Sequence, residues 1–286
     1  GVYVKSGTFN MYGGSIKKNT SDGGSGAGVY VEKNGTFNMK NTASVTGNTI
    51  GYGSSAGFGG GVYVNGGKLE MNGTSSVTNN IAGNSNGSSG GGVYVNNGGT
   101  FEMHNNASVT GNKATNGTLN GGGVYVNGSG TFAMNNSASV SGNTATNNGG
   151  GVYVNNGGIF NMNDGAISGN KATNNKKTET TYGGGVYVDG QKSTFTMNDG
   201  AISGNTAKNG GGVCASGGTF AMNGNSKVTN NNGFGVFVNG GIFTVSGTPT
   251  VTENKDANDA ASNVCLAGGA YITIGKFDSN GNANSI

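Results

Sequence analysis

The sequence predicts an all-β chain wound as a single-stranded parallel β-helix, a solenoid of about nine to ten coils with three short strands per coil. Three observations point there. Of 286 residues, 62 are Gly and one is Pro. The tripeptide Val-Tyr-Val recurs along the chain, and two further apolar motifs follow each recurrence at nearly fixed spacing. Glycine at roughly three times its average usage works against helices, because each interior Gly costs about 0.8–1 kcal/mol relative to Ala. Collagen is excluded, since Gly does not recur every third residue and a single Pro cannot supply a polyproline backbone. Charged residues make up 9% of the chain, and apolar residues are too regularly placed for a solvated disordered tail.

The first strand of each coil is Val-Tyr-Val, centred on Tyr3, Tyr30, Tyr63, Tyr94, Tyr125, Tyr153 and Tyr187. It returns altered as Val213-Cys214-Ala215 and Val236-Phe237-Val238. The second strand is an aromatic-x-Met step, from Phe9/Met11 through Phe132/Met134 to Phe220/Met222, with Leu69/Met71 and Phe243/Val245 as variants. The third ends in a Val or Ile followed three residues later by Asn, as in Val45/Asn48, Val77/Asn80, Val109/Asn112, Val140/Asn143, Ile167/Asn170 and Ile202/Asn205. The gap from that Asn to the next Val varies from four residues before Val236 to fifteen before Val186, so one corner is elastic. The shortest unit, Cys214 to Phe237, is 23 residues. That length suits a three-strand coil, whereas a propeller blade needs about 40 residues and four strands. A degenerate tenth coil begins at Asn263 and runs through Ile274. Residues 1–286 therefore read as one repeat domain, with 263–286 as its last coil and tail. Gly1-Val2-Tyr3-Val4 already lies inside a motif and neither end shows an amphipathic cap. A longer parent protein is expected, or end-to-end self-association through uncapped coils.

Alternation assigns the faces. In Phe-x-Met the middle residue varies among Asn10, Glu70, Ala133 and Thr196, so Phe and Met point inward. After Val-Tyr-Val the next residue is polar in Lys5, Glu32, Asn65, Asn96 and Asp189, which puts both Val inside and Tyr outside. About five apolar side chains per coil are thereby buried, each contributing roughly 1.5–3 kcal/mol.

Stacking turns each position into a column, and function is sought column by column. Asn48, Asn80, Asn112, Asn143, Asn170 and Asn205 form an expected internal ladder whose amides bond from coil to coil. The tyrosines, with Tyr63, Tyr94, Tyr125, Tyr153 and Tyr187 at the centre, form an outward row. They read either as cross-rung aromatic stacking or as an exposed strip that binds sugar rings or a partner's aromatic side chains. The longest corner loop, with Lys176 and Lys177, is the best local binding candidate, against the alternative of a solvated spacer. The Ser and Thr that follow the buried third-strand residue, such as Thr78, Thr110 and Ser141, form one further column. It departs from the paired Thr arrays of ice-binding solenoids.

Composition narrows the chemistry. All fifteen cations are Lys, so the planar guanidinium that grips phosphate bidentately is absent. A net charge of +3 leaves no electrostatic footprint for nucleic acid or for a membrane surface. No apolar run approaches the roughly 18–20 residues needed to span a bilayer. Glu70 and Glu102 share an outward column on adjacent coils with His104 two residues along. Two carboxyls about 5–5.5 Å apart suit a retaining glycosidase, but no Arg or Trp accompanies them, and the expectation is no catalysis. The Asn163-Asp164-Gly165 and Asn198-Asp199-Gly200 corners read as turns. No metal or cofactor is expected. Cys214 and Cys265 fall in the Tyr column with Phe237 between them, roughly 9–10 Å apart and beyond disulfide reach.

The coil motif resembles the β-helix passengers of bacterial surface proteins, especially chlamydial polymorphic outer-membrane proteins and autotransporter adhesins. Their Phe-x-x-Asn tetrapeptide is matched at Phe132/Asn135, Phe160/Asn163, Phe195/Asn198 and Phe220/Asn223. Gly60-Gly61-Val62-Tyr63 approximates their Gly-Gly-Ala-Ile. The resemblance implies a right-handed, pectin-lyase-like solenoid at the bacterial cell surface. It further implies a non-catalytic adhesin passenger or stalk that meets a host-surface glycan or protein. The rival readings are a carbohydrate-active β-helix and a purely structural spacer.

Overall fold

The computed structural model describes residues 1–51, 56–83, 87, 89–115, 117, 119–174, 180–256 and 258–275. Among them there is no helix, and every strand pairing between coils is parallel. Three sheets run along the solenoid. The first holds the Val-Tyr-Val and Phe-x-Met strands, and the second holds the third-strand column from Ser15–Lys17 to Thr250–Thr252. In the first two coils the Val-Tyr-Val and Phe-x-Met strands are continuous, as Val2–Met11 and Val29–Met39. The extra residue of coil two makes a bulge between Val4 and Ser6.

A feature absent from the sequence reading is the third sheet, made of two-residue strands just past the ladder asparagines, such as Thr49–Ile50, Ile81–Ala82 and Thr144–Ala145. Beyond Lys171–Ala172 it continues as single bridges through Thr206 and Asn232 to Lys255. The tenth coil takes its place in the stack: Val264–Ala267 pairs with Val236–Asn239, and Tyr271–Ile274 pairs with Ile242–Val245.

Register places like on like, which produces the core. Val62, Val93, Val124 and Val152 lie over one another, as do Met71, Met103, Met134 and Met162, all fully buried. From Phe101 to Phe243 the phenylalanines stack ring on ring, with centroids 4.6–5.2 Å apart and interplanar angles of 6–10°. The side chain on each rung fills the space its neighbour leaves, so no coil has a core of its own.

The asparagine ladder runs beside this core. Asn112 Nδ2 donates to Asn143 Oδ1 at 3.0 Å and back to Val77 O at 2.9 Å, while Asn112 N donates to the same Asn143 Oδ1 at 2.8 Å. Asn48, Asn80, Asn143, Asn170 and Asn205 repeat this pattern. Each buried amide thus uses both donor hydrogens and both acceptor lone pairs, the condition for a polar group to sit in an apolar interior without loss. At the far end Asn254 N and Nδ2 both donate to Asn263 Oδ1 at 3.2 Å. Asn263, at the start of the tenth coil, is therefore the last rung.

Candidate functional site

The tyrosines point away from the lumen, as alternation requires, yet they are not an exposed strip. Tyr63, Tyr94, Tyr125, Tyr153 and Tyr187 are only 4–8% exposed and form a second apolar cluster outside the main core. The expectation of an open Tyr row is corrected by the elastic corner, which folds back across the outer face of the first strand. Phe58 packs on Tyr94 with ring centroids 4.7 Å apart, Tyr182 lies 5.7 Å from Tyr187, and Phe234 lies 5.7 Å from Phe237. Leu119, from another such corner, is itself buried. The column reaches solvent toward its ends, at Tyr3 and partly at Tyr30 in the first coils and partly at Cys265 in the last.

Glycine makes the roof close enough to work. Gly121 has φ 65°, and a Cβ there would lie 2.8 Å from Tyr125 Cβ. Gly123 has no such φ, but its Cβ would lie 2.7 Å from Gly151 O and 2.9 Å from Asn143 Nδ2. The trio between Asn120 and Val124 thus uses both the backbone freedom of glycine and its lack of volume.

Each tyrosine meets its neighbour along the column. Successive ring centroids from Tyr3 to Tyr187 are 5.3, 5.0, 5.5, 4.7, 4.6 and 5.1 Å apart. Hydroxyls find partners two positions past the Tyr of the following coil. Asn65 Nδ2 donates to Tyr30 Oη at 3.0 Å, Asn96 to Tyr63 at 3.4 Å, and Asn155 to Tyr125 at 3.3 Å. At Asp189 the polarity reverses, and Tyr153 Oη donates to Asp189 Oδ2 at 2.8 Å. Burial, more than any neighbouring charge, pushes the Tyr153 hydroxyl well above the ordinary phenol range, and it does the same for Tyr94 and Tyr187.

The outer face of the second strand is partly open, as is that of the third. Ile159, Ile242 and Tyr271 stand exposed in one of its columns, and Tyr12 stands exposed beside its first rung. Asparagines at its margin make an outer ladder: Asn163 Nδ2 donates to Asn135 Oδ1, Asn198 to Asn163 and Asn223 to Asn198, at 2.8–3.0 Å. These are the Asn residues of the Phe-x-x-Asn tetrapeptides, so that motif marks a surface ladder.

Glu70 and Glu102 face each other across adjacent rungs of this sheet. Lys68 Nζ sits 3.3 Å from Glu70 Oε2 and 2.9 Å from Glu102 Oε2, and His104 Nε2 lies 3.7 Å from Glu102. The Lys68 ammonium holds the Glu102 carboxyl below the ordinary carboxylate range, and His104 adds a smaller effect in the same direction. At the Asp-Gly corners the backbone amides of Gly165 and Gly200 donate to Asp164 and Asp199 Oδ1 at 2.7 Å, which closes each turn on itself. Lys176 and Lys177 lie outside the described residues. Cys214 and Cys265 are free thiols, two rungs apart with Phe237 in register between them.

No family model matches the sequence, and no curated protein matches it. Among solved structures, a TibC-catalysed hyper-glycosylated TibA fragment aligns at 20% identity over 96% of this chain and 97% of that one. The TM-score of that alignment is 0.17.

The roofing residues are what the sequence reading missed, and a signal for them exists. Phe58 and Tyr182 each stand immediately before a glycine trio. A lone large apolar residue in a polar loop needs somewhere to bury, and the Tyr column is the nearest apolar surface.

Proposed function

We propose that the chain is a rigid display segment of an exported bacterial surface protein. It acts as a non-catalytic stalk whose adhesive contact, toward a host-surface glycan or protein, is made by the open second-strand face. One observation carries the choice of face. With the Tyr column roofed, the large apolar side chains left open away from the two ends among the described residues, Ile159 and Ile242, both stand on this sheet, among Thr, Ala and Asn. They share one column with Thr131, Thr194 and Thr219, so this face offers a partner a straight row of methyl and hydroxyl groups at one-rung spacing. The end coils leave Tyr3, Leu266 and Ile274 open, and a second copy would stack there.

The non-catalytic reading draws support from Lys68. A glycosidase acid must hold its proton near neutral pH, which requires a raised carboxyl pKa. Lys68 acts on Glu102 in the opposite sense. A glycan and matrix-protein screen with the intact chain and with an Ile159→Lys/Thr196→Lys variant tests the proposal. Binding by the wild type that the variant loses is the expected result. Binding that survives in the variant would move the contact elsewhere, and a blank screen would favour the spacer.

A further inference from the structure

We propose that the tyrosine column is a redox-active stack with a radical-storage site at Tyr153, whose phenolic proton passes to Asp189. The argument begins with continuity. Seven tyrosine rings follow one another with no centroid gap above 5.5 Å, and electrons hop readily between phenols in such contact. The stack opens to solvent at Tyr3 and Tyr30 and is roofed from Tyr63 onward. Beyond Tyr187 the column passes to Cys214 and then Phe237, so the run of phenols ends there.

Carboxylates stand beside two rings of the stack, Glu32 beside Tyr3 at the exposed end and Asp189 beside Tyr153, and of these two rings Tyr153 is the buried one. A phenol that loses an electron becomes a strong acid and settles only where its proton has a place to go. Tyr30, Tyr63 and Tyr125 receive hydrogen bonds from amide donors, which cannot take that proton. Tyr153 donates to a carboxylate oxygen at 2.8 Å, a charge-assisted geometry along which a proton can move. The step balances as follows: a one-electron oxidant in solution accepts one electron through the exposed end of the stack. The Tyr153 O–H bond breaks, an O–H bond forms on Asp189 Oδ2, and a neutral phenoxyl remains. A one-electron donor such as ascorbate returns the electron and the proton goes back to the phenol. Burial at 4% exposure keeps Tyr153 from coupling with a second tyrosyl radical on another molecule.

The test oxidises the whole chain with photogenerated tris(bipyridine)ruthenium(III) and follows the tyrosyl signal by electron paramagnetic resonance. Wild type is expected to give a persistent signal. Tyr153→Phe and Asp189→Asn are each expected to lose it, while Tyr12→Phe, at an exposed ring outside the column, keeps it. Asp189→Asn installs the residue type other coils carry at that position, and thermal melting checks that both variants fold. An equally persistent signal in Asp189→Asn would overturn the proposal. So would a wild type that yields only short-lived radicals and intermolecular dityrosine.

Discussion

A ladder asparagine is bound on four sides, which sets the consequence of removing one. Asn143 Oδ1 accepts from Asn112 N and Nδ2, and Asn143 Nδ2 donates to Val109 O and Asn170 Oδ1. Truncation strands buried donors on one coil and leaves a carbonyl short of a partner on another. Each buried unsatisfied group costs about 1–3 kcal/mol, so Asn143→Ala is expected to destabilise by about 3 kcal/mol or more in chemical denaturation. A loss below about 1 kcal/mol, the net value of one ordinary hydrogen bond, would show that water replaces the amide. The same scale explains Asp189. Among the buried rings, a carboxylate in place of an amide reverses the direction of the hydrogen bond, and that reversal distinguishes Tyr153 from its neighbour Tyr125.

At the scale of elements, the corners separate two reasons for glycine. Gly98 has φ 75° and nothing within 4 Å of where a Cβ would go, whereas Gly123 has ordinary φ and backbone at 2.7 Å. Gly98→Ala therefore introduces only left-handed strain, about 1–2 kcal/mol. Gly123→Ala must push two coils apart, at about 3 kcal/mol or more by analogy with overpacked cores. Melting temperatures of the two variants check the order, and equal losses would mean that the trio is less tightly packed than its distances imply. Strand identity was legible in sequence because period-two alternation and like-on-like register come from the same repeats. The two-residue strands such as Lys113–Ala114 were not, since two residues carry no period.

For the whole molecule, the second apolar cluster predicts how the solenoid fails in alkali. The hydroxyls of Tyr63, Tyr94, Tyr125, Tyr153 and Tyr187 are all raised above 10.0, by burial first. In the unfolded chain they titrate near their ordinary value. Below about pH 10 both states hold these protons and the group contributes no pH dependence; above it the unfolded state releases protons first. Stability is therefore expected to hold up to about pH 9 and then to fall, each such tyrosine adding up to about 1.4 kcal/mol per pH unit. Denaturation midpoints from pH 7 to 12 measure this. A flat profile would show that the roof opens before the rings ionise.

Repetition itself determined the solenoid, its coil count, the inward Val, Phe and Met columns and the asparagine ladder. A motif that recurs in register needs no long-range information to say what stacks on what. The fate of the Tyr column was decided only in three dimensions. Alternation tells which side of a strand a residue faces, but not whether a loop of variable length returns to cover that side. Phe58, Tyr182 and Phe234 lie in the least regular part of each unit and supply the cover. Lys68 likewise reaches both Glu70 and Glu102 only because one rung separates them in space while 32 residues separate the carboxylates in sequence. Local pattern assigns a side chain to a face, and burial depends on what the rest of the chain lays over it.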